Sequence, residues 1–185
     1  MLTIIRTILV LVLMVNIAIV VGLARGPAPL DESTPLEMTY TPVTLPEAGP
    51  TYTSYCEEAA PKNFDEIVES AAAEFGVDPR VLATTVYRES ACDQKALGSS
   101  GEIGLAQVHP RVWTGALKEA GIIRSSKDLW RPRTNLRAAA WILASLSEDE
   151  GAELWDVFRR YNGSGPKANR YASGQVKLFR ALWAE

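Results

Sequence analysis

The sequence predicts an all-α protein whose folded part, residues 61–185, is a compact bundle of short helices around a cleft. Three observations support this fold class. Apolar residues in this region recur at helical spacing, glycines and prolines divide the region into segments of helical length, and no alternating strand pattern extends beyond a few residues. An apolar N-terminal helix and a proline-rich tether are predicted to precede the bundle.

Residues 1–25 are predicted to be a signal peptide or a membrane anchor. Residues 7–24 carry no charge, and a helix of that length, at about 1.5 Å per residue, comes close to spanning a bilayer core. The small residues Gly22 and Ala24 favour cleavage by a signal peptidase, whereas the length of the apolar run favours a retained anchor. Both alternatives place the remaining chain in the periplasm or on the outer face of the cytoplasmic membrane.

Residues 26–60 are predicted to be a solvated, extended linker. They contain six of the eleven prolines, and all of their charged side chains are acidic. Residues 61–185 are nearly neutral and lack the clustered basic residues of a nucleic-acid-binding protein. One histidine and two distant cysteines do not form a zinc set. We therefore expect no metal, no cofactor and no nucleic-acid partner.

The first two predicted helices have clear start and stop signals. Asn63 and Glu66 have the spacing of a capping box, and Gly76 is expected to end the helix that they start. Asp78 and Pro79 then provide an N-cap and a first-turn proline for the second helix. A loop rich in glycine and serine follows at residues 98–104.

Four more helices are predicted after this loop. The third begins at Pro110 and ends before Gly121, and Thr134 is expected to cap the fourth. The fifth spans about 153–161 and the last about 168–183. The fourth is expected to turn a set of apolar residues inward: Leu136, Ala139, Ala140, Leu143 and Leu146.

Glu89 is the first candidate for chemistry. It follows Leu82 and Val86 at helical spacing, so it shares the apolar face at the end of the second helix. Burial and the negative end of the helix dipole both disfavour a carboxylate, so the pKa of Glu89 is expected to be raised. A carboxyl group that stays protonated near neutral pH can donate a proton to a glycosidic oxygen.

Three short segments carry a family resemblance. Residues 89–90 read Glu-Ser, residues 101–107 read Gly-Glu-Ile-Gly-Leu-Ala-Gln, and residues 161–163 read Tyr-Asn-Gly. In this order and spacing they resemble the lytic transglycosylase family, which has a goose-type-lysozyme-like fold. The likeness spans about residues 62–183. The sequence departs from the family pattern at Ala106, where a methionine is usual.

The resemblance implies an enzyme that cleaves the β-1,4 bond between N-acetylmuramic acid and N-acetylglucosamine in peptidoglycan and leaves 1,6-anhydro ends. It gives Glu89 the role of acid and then base. Ser90 is expected to support the acid or contact substrate, and Gln107 to line the cleft. Tyr161 matches a tyrosine whose hydroxyl lies near the catalytic carboxyl, and Asn162 follows it in the substrate-binding set.

Several other residues have no role assigned by the three motifs. Glu102 is a possible second carboxylate, although a solvated loop charge is the more usual interpretation. His109 is expected to have a structural role at a helix start, and the five tryptophans are expected to pack in the core. Cys56 and Cys92 suit an oxidising compartment, where a disulfide would add about 3–4 kcal/mol of stability. Two free buried thiols are the alternative.

Two rival functions follow from the same residues. One is a hydrolytic lysozyme on the same fold, and the other is a non-catalytic wall-binding component of an envelope machine. Peptidoglycan is the expected partner in every case. Machinery for secretion, conjugation or phage lysis is a possible further partner, and the membrane becomes one if the N-terminal segment is retained.

Overall fold

The computed structural model describes residues 51–56, 59–147 and 152–183, and all of them belong to one compact unit. The interpretation of residues 1–25 as a signal or anchor, and that of residues 26–50 as an extended linker, therefore lie outside the described residues. The helices that we label α1 to α6 are Phe64–Phe75, Pro79–Ser90, Pro110–Glu119, Pro132–Leu146, Leu154–Asn162 and Gly165–Trp183. Short 3₁₀ helices span Tyr52–Tyr55 and Ser126–Trp130.

Helix α4 lies at the centre of the bundle and packs against α1, α2 and α5, while α6 packs against α2 and α5. Four of its five predicted inward residues are fully buried, and Leu146 is partly buried against the core. A single connected core of buried apolar side chains includes residues of α1 to α5. The buried residues of α6 are Ala168, Ala172 and Gln175. The predicted all-α bundle is confirmed.

The helix start at α2 forms as predicted. The Asp78 carboxylate accepts the backbone N–H of Arg80 at 2.8 Å, and Pro79 occupies the first helical position. Gly76 ends α1 in the left-handed conformation at φ 67°, where glycine avoids the steric cost of a Cβ atom. These signals depend only on neighbouring residues, which explains why they were readable from sequence.

Two predicted helix caps are wrong. Asn63 precedes α1 without a side-chain cap, because its backbone (φ −116°, ψ 38°) is not in the extended conformation of a capping residue. The Glu66 carboxylate instead accepts a hydrogen bond from Arg133 at 2.7 Å. Helix α4 begins two residues before Thr134, because Pro132 occupies its first position, where no N–H is needed.

Residues 51–56 pack on the domain instead of extending the linker. The Tyr55 hydroxyl donates to the Leu182 carbonyl at 2.8 Å, and the Trp183 ring makes edge contacts with the rings of Tyr52 and Tyr55. The Asp65 carboxylate accepts the backbone and hydroxyl hydrogens of Thr53 at 2.7 Å. The folded unit therefore begins before residue 61, because aromatic burial holds this segment on α1 and α6.

Cys56 and Cys92 form a disulfide, with their Cα atoms 5.5 Å apart. Both residues are buried. The bond joins the end of the first 3₁₀ helix to the residue that lies two positions after α2, so it anchors the start of the loop that follows Glu89.

Among the described residues, no helix is both long enough and apolar enough to cross a membrane.

Candidate active site

Glu89 lies in the last turn of α2, and its side chain is partly buried. The preceding residues on its face, Leu82 and Val86, are fully buried, so the helix directs Glu89 inward at the point where α2 ends. Removal from water disfavours the charged form of a carboxyl group. Burial is the main reason that the pKa of Glu89 is raised above its ordinary value.

The direct partner of the Glu89 carboxyl group comes from helix α6. The Tyr171 hydroxyl donates a hydrogen bond to Glu89 Oε1, and the side-chain amide of Gln175 donates to the Tyr171 hydroxyl at 2.7 Å. Burial and the nearby Glu89 charge hold the pKa of Tyr171 far above its usual range. Tyr171 therefore stays protonated and acts as a neutral donor to the carboxyl group.

Four influences on the pKa of Glu89 oppose one another in pairs. Burial raises it, and the charge of Glu102 raises it further. The hydrogen bond from Tyr171 and the positive charge of Arg88 lower it. Burial prevails, so the carboxyl group keeps its proton to a higher pH than an exposed glutamate does.

Tyr161 lies close to Glu89 but does not bond to it. Its hydroxyl donates to the Ala106 carbonyl at 2.8 Å. Burial is the larger cause of its strongly raised pKa, and the Glu89 charge is the second. Tyr161 is thus within electrostatic range of Glu89, but the hydrogen bond to the carboxyl group comes from Tyr171.

Ser90 joins α2 to the loop that follows it. Its hydroxyl lies 2.7 Å from the Leu105 carbonyl and 3.3 Å from the Val86 carbonyl. The Ser90 hydroxyl thus ties the end of α2 to the loop, and its role toward the acid or the substrate stays a prediction. Immediately after it, Ala91 and Cys92 adopt positive φ angles of 47° and 66°, a conformation that costs energy for a residue with a Cβ atom.

Gln107 also has a positive φ angle, 47°. Its side-chain amide donates to the carbonyl groups of Ala96 at 3.2 Å and Gly104 at 2.9 Å. Both of these acceptors belong to the loop itself. The Gln107 side chain therefore holds the loop together through its amide hydrogens, and its place in a substrate cleft stays a prediction.

The Asn135 side chain of α4 also holds this loop in place. It is fully buried, its side-chain oxygen accepts the Ala106 N–H at 2.9 Å, and its amide donates to the carbonyl groups of Ile103 and Leu129 at 2.9 and 2.8 Å. Gly104 lies against this amide with a φ angle of 73°, and a Cβ atom there would come within 2.7 Å of Asn135 Nδ2. Glycine at 104 is thus required both by conformation and by space.

Glu102 and His109 occupy the two ends of the loop's second half. The Glu102 carboxylate accepts the Ser100 N–H at 3.0 Å, and backbone hydrogen bonds lower its pKa, so it is charged. His109 is the residue before α3 and makes no side-chain cap. Glu102 lies within electrostatic range of Glu89.

The remaining predicted residues have surface or packing positions. Asn162 is exposed at the end of α5. Trp113, Trp141 and Trp183 pack against the core as expected. Trp130 is 40% exposed, and the Trp155 indole donates to Ser173 at 3.1 Å.

Tyr171 and Gln175 are the two residues that sequence reasoning missed. A tyrosine in an amphipathic helix is usually a packing residue, so Tyr171 gave no distinct signal. Gln175 did give one, because it shares the buried face of α6 with Ala168 and Ala172. A polar amide on an apolar stripe indicates a buried hydrogen-bonding partner.

The fold and the site together define an α-helical domain with one partly buried acid at the end of a helix, enclosed by a loop and the last helix. Residues 66–180 match the model of the transglycosylase SLT domain. This match covers more than half of the chain, and the chain belongs to that family. The resemblance drawn from the three motifs is confirmed.

Two solved structures have a similar fold. One is an inactive mutant of the lytic transglycosylase Slt from Pseudomonas aeruginosa, at a TM-score of 0.58 and 16% identity over 66% of this chain and 24% of that one. The other is a 70-kDa soluble lytic transglycosylase in complex with bulgecin A, at a TM-score of 0.52 and 18% identity over 64% of this chain and 20% of that one. The chain thus spans a quarter or less of either protein.

Proposed function

We propose that this chain is a peptidoglycan lytic transglycosylase that cleaves between N-acetylmuramic acid and N-acetylglucosamine, with Glu89 as acid and then base. The observation that carries the proposal is the Glu89 carboxyl group, whose pKa is raised by burial while Tyr171 donates a hydrogen bond to one of its oxygens. Membership of the SLT family and the names of the two similar structures support the same activity.

In the first step Glu89 donates its proton to the oxygen that bridges the two sugars. The bond between that oxygen and the anomeric carbon of N-acetylmuramic acid breaks, and the departing sugar takes the proton. Glu89 is left as a carboxylate. The Tyr171 hydroxyl stabilises this charge without moving, since it already donates to Oε1, and a donor placed in advance lowers the barrier most effectively.

In the second step the Glu89 carboxylate removes the proton from the 6-hydroxyl of the muramic acid. The oxygen of that hydroxyl bonds to the anomeric carbon and closes the 1,6-anhydro ring. Glu89 regains the proton that it lost. Most glycosidases need two carboxyl groups, but one suffices here because the nucleophile belongs to the substrate.

A hydrolytic lysozyme is the second candidate, and Glu102 is the observation that favours it. This carboxylate is charged and acts electrostatically on Glu89. Inverting glycosidases use a charged carboxylate together with an acid of raised pKa to activate water. The two candidates differ in product, because hydrolysis leaves reducing ends and the transglycosylase leaves anhydro ends.

Mass analysis of purified peptidoglycan sacculi digested by the full chain tests the proposal. We expect 1,6-anhydromuropeptides from the wild type, and the same products from Glu102→Gln. Reducing ends from the wild type, lost in Glu102→Gln, would establish the hydrolase instead. Binding to sacculi without release of fragments would leave only the wall-binding role.

We also propose that the N-terminal segment exports the chain, so that the domain acts outside the cytoplasmic membrane. The uncharged run at residues 7–24 and the proline-rich residues that follow support this location. Fractionation of expressing cells followed by mass analysis of the mature N-terminus tests it. A full-length chain in the membrane indicates an anchor, a product that begins near residue 25 indicates cleavage, and recovery from the cytoplasm contradicts export.

A further inference from the structure

Gln175 is a fully buried polar side chain beside the candidate acid. One end of its amide, Nε2, donates to the Tyr171 hydroxyl at 2.7 Å. The other end, Oε1, is buried and has no hydrogen-bond partner among the described residues. A buried carbonyl oxygen without a partner is unfavourable, so this orientation of the amide calls for an explanation.

The explanation lies in the single hydrogen of the tyrosine hydroxyl. The Tyr171 oxygen accepts from Gln175, which leaves its hydrogen to point at Glu89 Oε1. The opposite orientation of the amide would place Gln175 Oε1 against Tyr171 and would take that hydrogen. Tyr171 would then present a lone pair to Glu89, and it would no longer stabilise a carboxylate there.

We propose that Gln175 is a positioning residue that holds Tyr171 as a permanent donor to Glu89 Oε1, so that Oε2 is the oxygen that exchanges the proton with substrate. This inference rests on the proposed function. Because Tyr171 donates to Oε1 whether Glu89 is protonated or charged, no hydrogen bond has to rearrange between the acid step and the base step. The Oε1 atom of Gln175, which has no partner among the described residues, is the cost of keeping Nε2 directed at Tyr171.

Three further charged or titratable groups act on the Glu89 and Tyr171 pair. They are Arg88 on α2, Glu102 in the loop and Tyr161 on α5. Substitutions at residue 175 leave all three in place. A change in the titration of Glu89 in such variants therefore reports on the two hydrogen bonds that link Gln175 to Tyr171 and Tyr171 to Glu89.

The first test compares Gln175→Met and Gln175→Glu with the wild type in the full chain. Methionine keeps the length of the side chain without a donor, and glutamate replaces the donor by an acceptor. We expect kcat to fall about ten-fold in Gln175→Met, the size expected when the partner of a catalytic group is lost, and further in Gln175→Glu. Arg170→Gln, an exposed neighbour on the same helix, serves as the matched control and should behave as wild type.

The pH profile separates positioning from a merely structural role. Activity falls at high pH as Glu89 loses its proton, and a weaker hydrogen bond from Tyr171 makes that proton harder to lose. The alkaline limb should therefore move to higher pH in Gln175→Met and farther in Gln175→Glu. In a Tyr171→Phe background, Gln175→Met should cause no additional shift, because the two residues act through one hydrogen bond.

Carbon-13 NMR titration of the Glu89 carboxyl group gives a readout that needs no turnover. If the wild type proves inactive but the titration midpoint rises in Gln175→Met, the proposed function fails and the positioning role survives. An unchanged midpoint in folded Gln175→Met would overturn the positioning role. A midpoint shift caused by Gln175→Met in the Tyr171→Phe background would overturn it as well. Should Gln175→Met not fold, Gln175→Asn, which withdraws the amide by one methylene, should move the midpoint in the same direction.

Discussion

Glu89 lies between two structures that differ in sequence and in task. On one side is the loop wall, residues 91–109, which contains the second of the three recognisable motifs. On the other side is α6, Gly165–Trp183, which contains none of them. Yet α6 supplies the only side chain that bonds directly to the Glu89 carboxyl group among the described residues, Tyr171.

The contrast teaches what the motif residues do. In the loop wall the side-chain hydrogen bonds go to the backbone: the Gln107 amide binds the Ala96 and Gly104 carbonyls. Asn135 of α4 likewise binds backbone groups of Ile103 and Ala106. In α6 the polar groups of Tyr171 and Gln175 form a chain that ends on Glu89. The loop wall therefore sets the shape of the site, and α6 tunes its acid.

The largest expected effect is on the stability of the loop wall. The disulfide between Cys56 and Cys92 closes a separation of 36 residues, so the double variant Cys56→Ala/Cys92→Ala should lower the free energy of unfolding by about 4 kcal/mol. Urea denaturation of the full chain measures this loss. The pH profile of the folded variant should stay unchanged, since α6 still holds Glu89. A shifted profile would show that the two sides are not independent.

The second effect is on the rate and separates two tyrosines. Tyr171→Phe removes the donor that stabilises the Glu89 carboxylate, so kcat should fall about a hundred-fold. Tyr161→Phe removes a bond to the Ala106 carbonyl and should cost less than about ten-fold, of the order of one neutral hydrogen bond. Assays on sacculi with both variants test the order. A greater loss of kcat in Tyr161→Phe would mean that Tyr161, the tyrosine of the third motif, is the main partner of Glu89.

The third effect is a pair of pH shifts of opposite sign. The charge of Glu102 in the loop wall raises the pKa of Glu89, and the hydrogen bond from Tyr171 in α6 lowers it. Activity requires protonated Glu89, so the alkaline limb of the profile should move to lower pH in Glu102→Gln and to higher pH in Tyr171→Phe. Shifts in the same direction in both variants would contradict this division.

The smallest expected effect concerns backbone strain at the start of the loop wall. Ala91 ends α2 with a φ angle of 47°, a conformation in which glycine is the common residue. Ala91→Gly should raise the free energy of unfolding by about 0.5–1 kcal/mol, because relief of strain exceeds the entropy that glycine adds to the unfolded chain. Thermal denaturation measures the gain. A loss of stability would mean that the Cβ atom of Ala91 contributes more by packing than it costs.

The sequence was most informative where structure depends on neighbouring residues. The cap at Asp78, the left-handed end at Gly76 and the buried face of α4 could all be read from local spacing. The cap predicted at Asn63 failed because the backbone of Asn63 is not extended, and Glu66, its expected partner, pairs with Arg133 on another helix. Local patterns carry no information about such distant competitors.

The site divides in the same way. Glu89 was identified from its place on an apolar helical face, and the direction of its pKa shift followed from burial. The contact with Tyr171 joins residues 82 positions apart, so it depends on how α6 lies against α2. No local rule distinguishes a tyrosine that packs from one that meets a carboxyl group across the bundle.

The most direct test of the central claim is the rate at which the full chain releases soluble fragments from purified sacculi when Glu89 is changed. Glu89→Gln keeps the shape of the side chain but cannot carry the proton, and Glu119→Gln makes the same change at an exposed position of α3. We predict that folded Glu89→Gln releases no fragments, while Glu119→Gln matches the wild type. Release at the wild-type rate by folded Glu89→Gln would contradict the account.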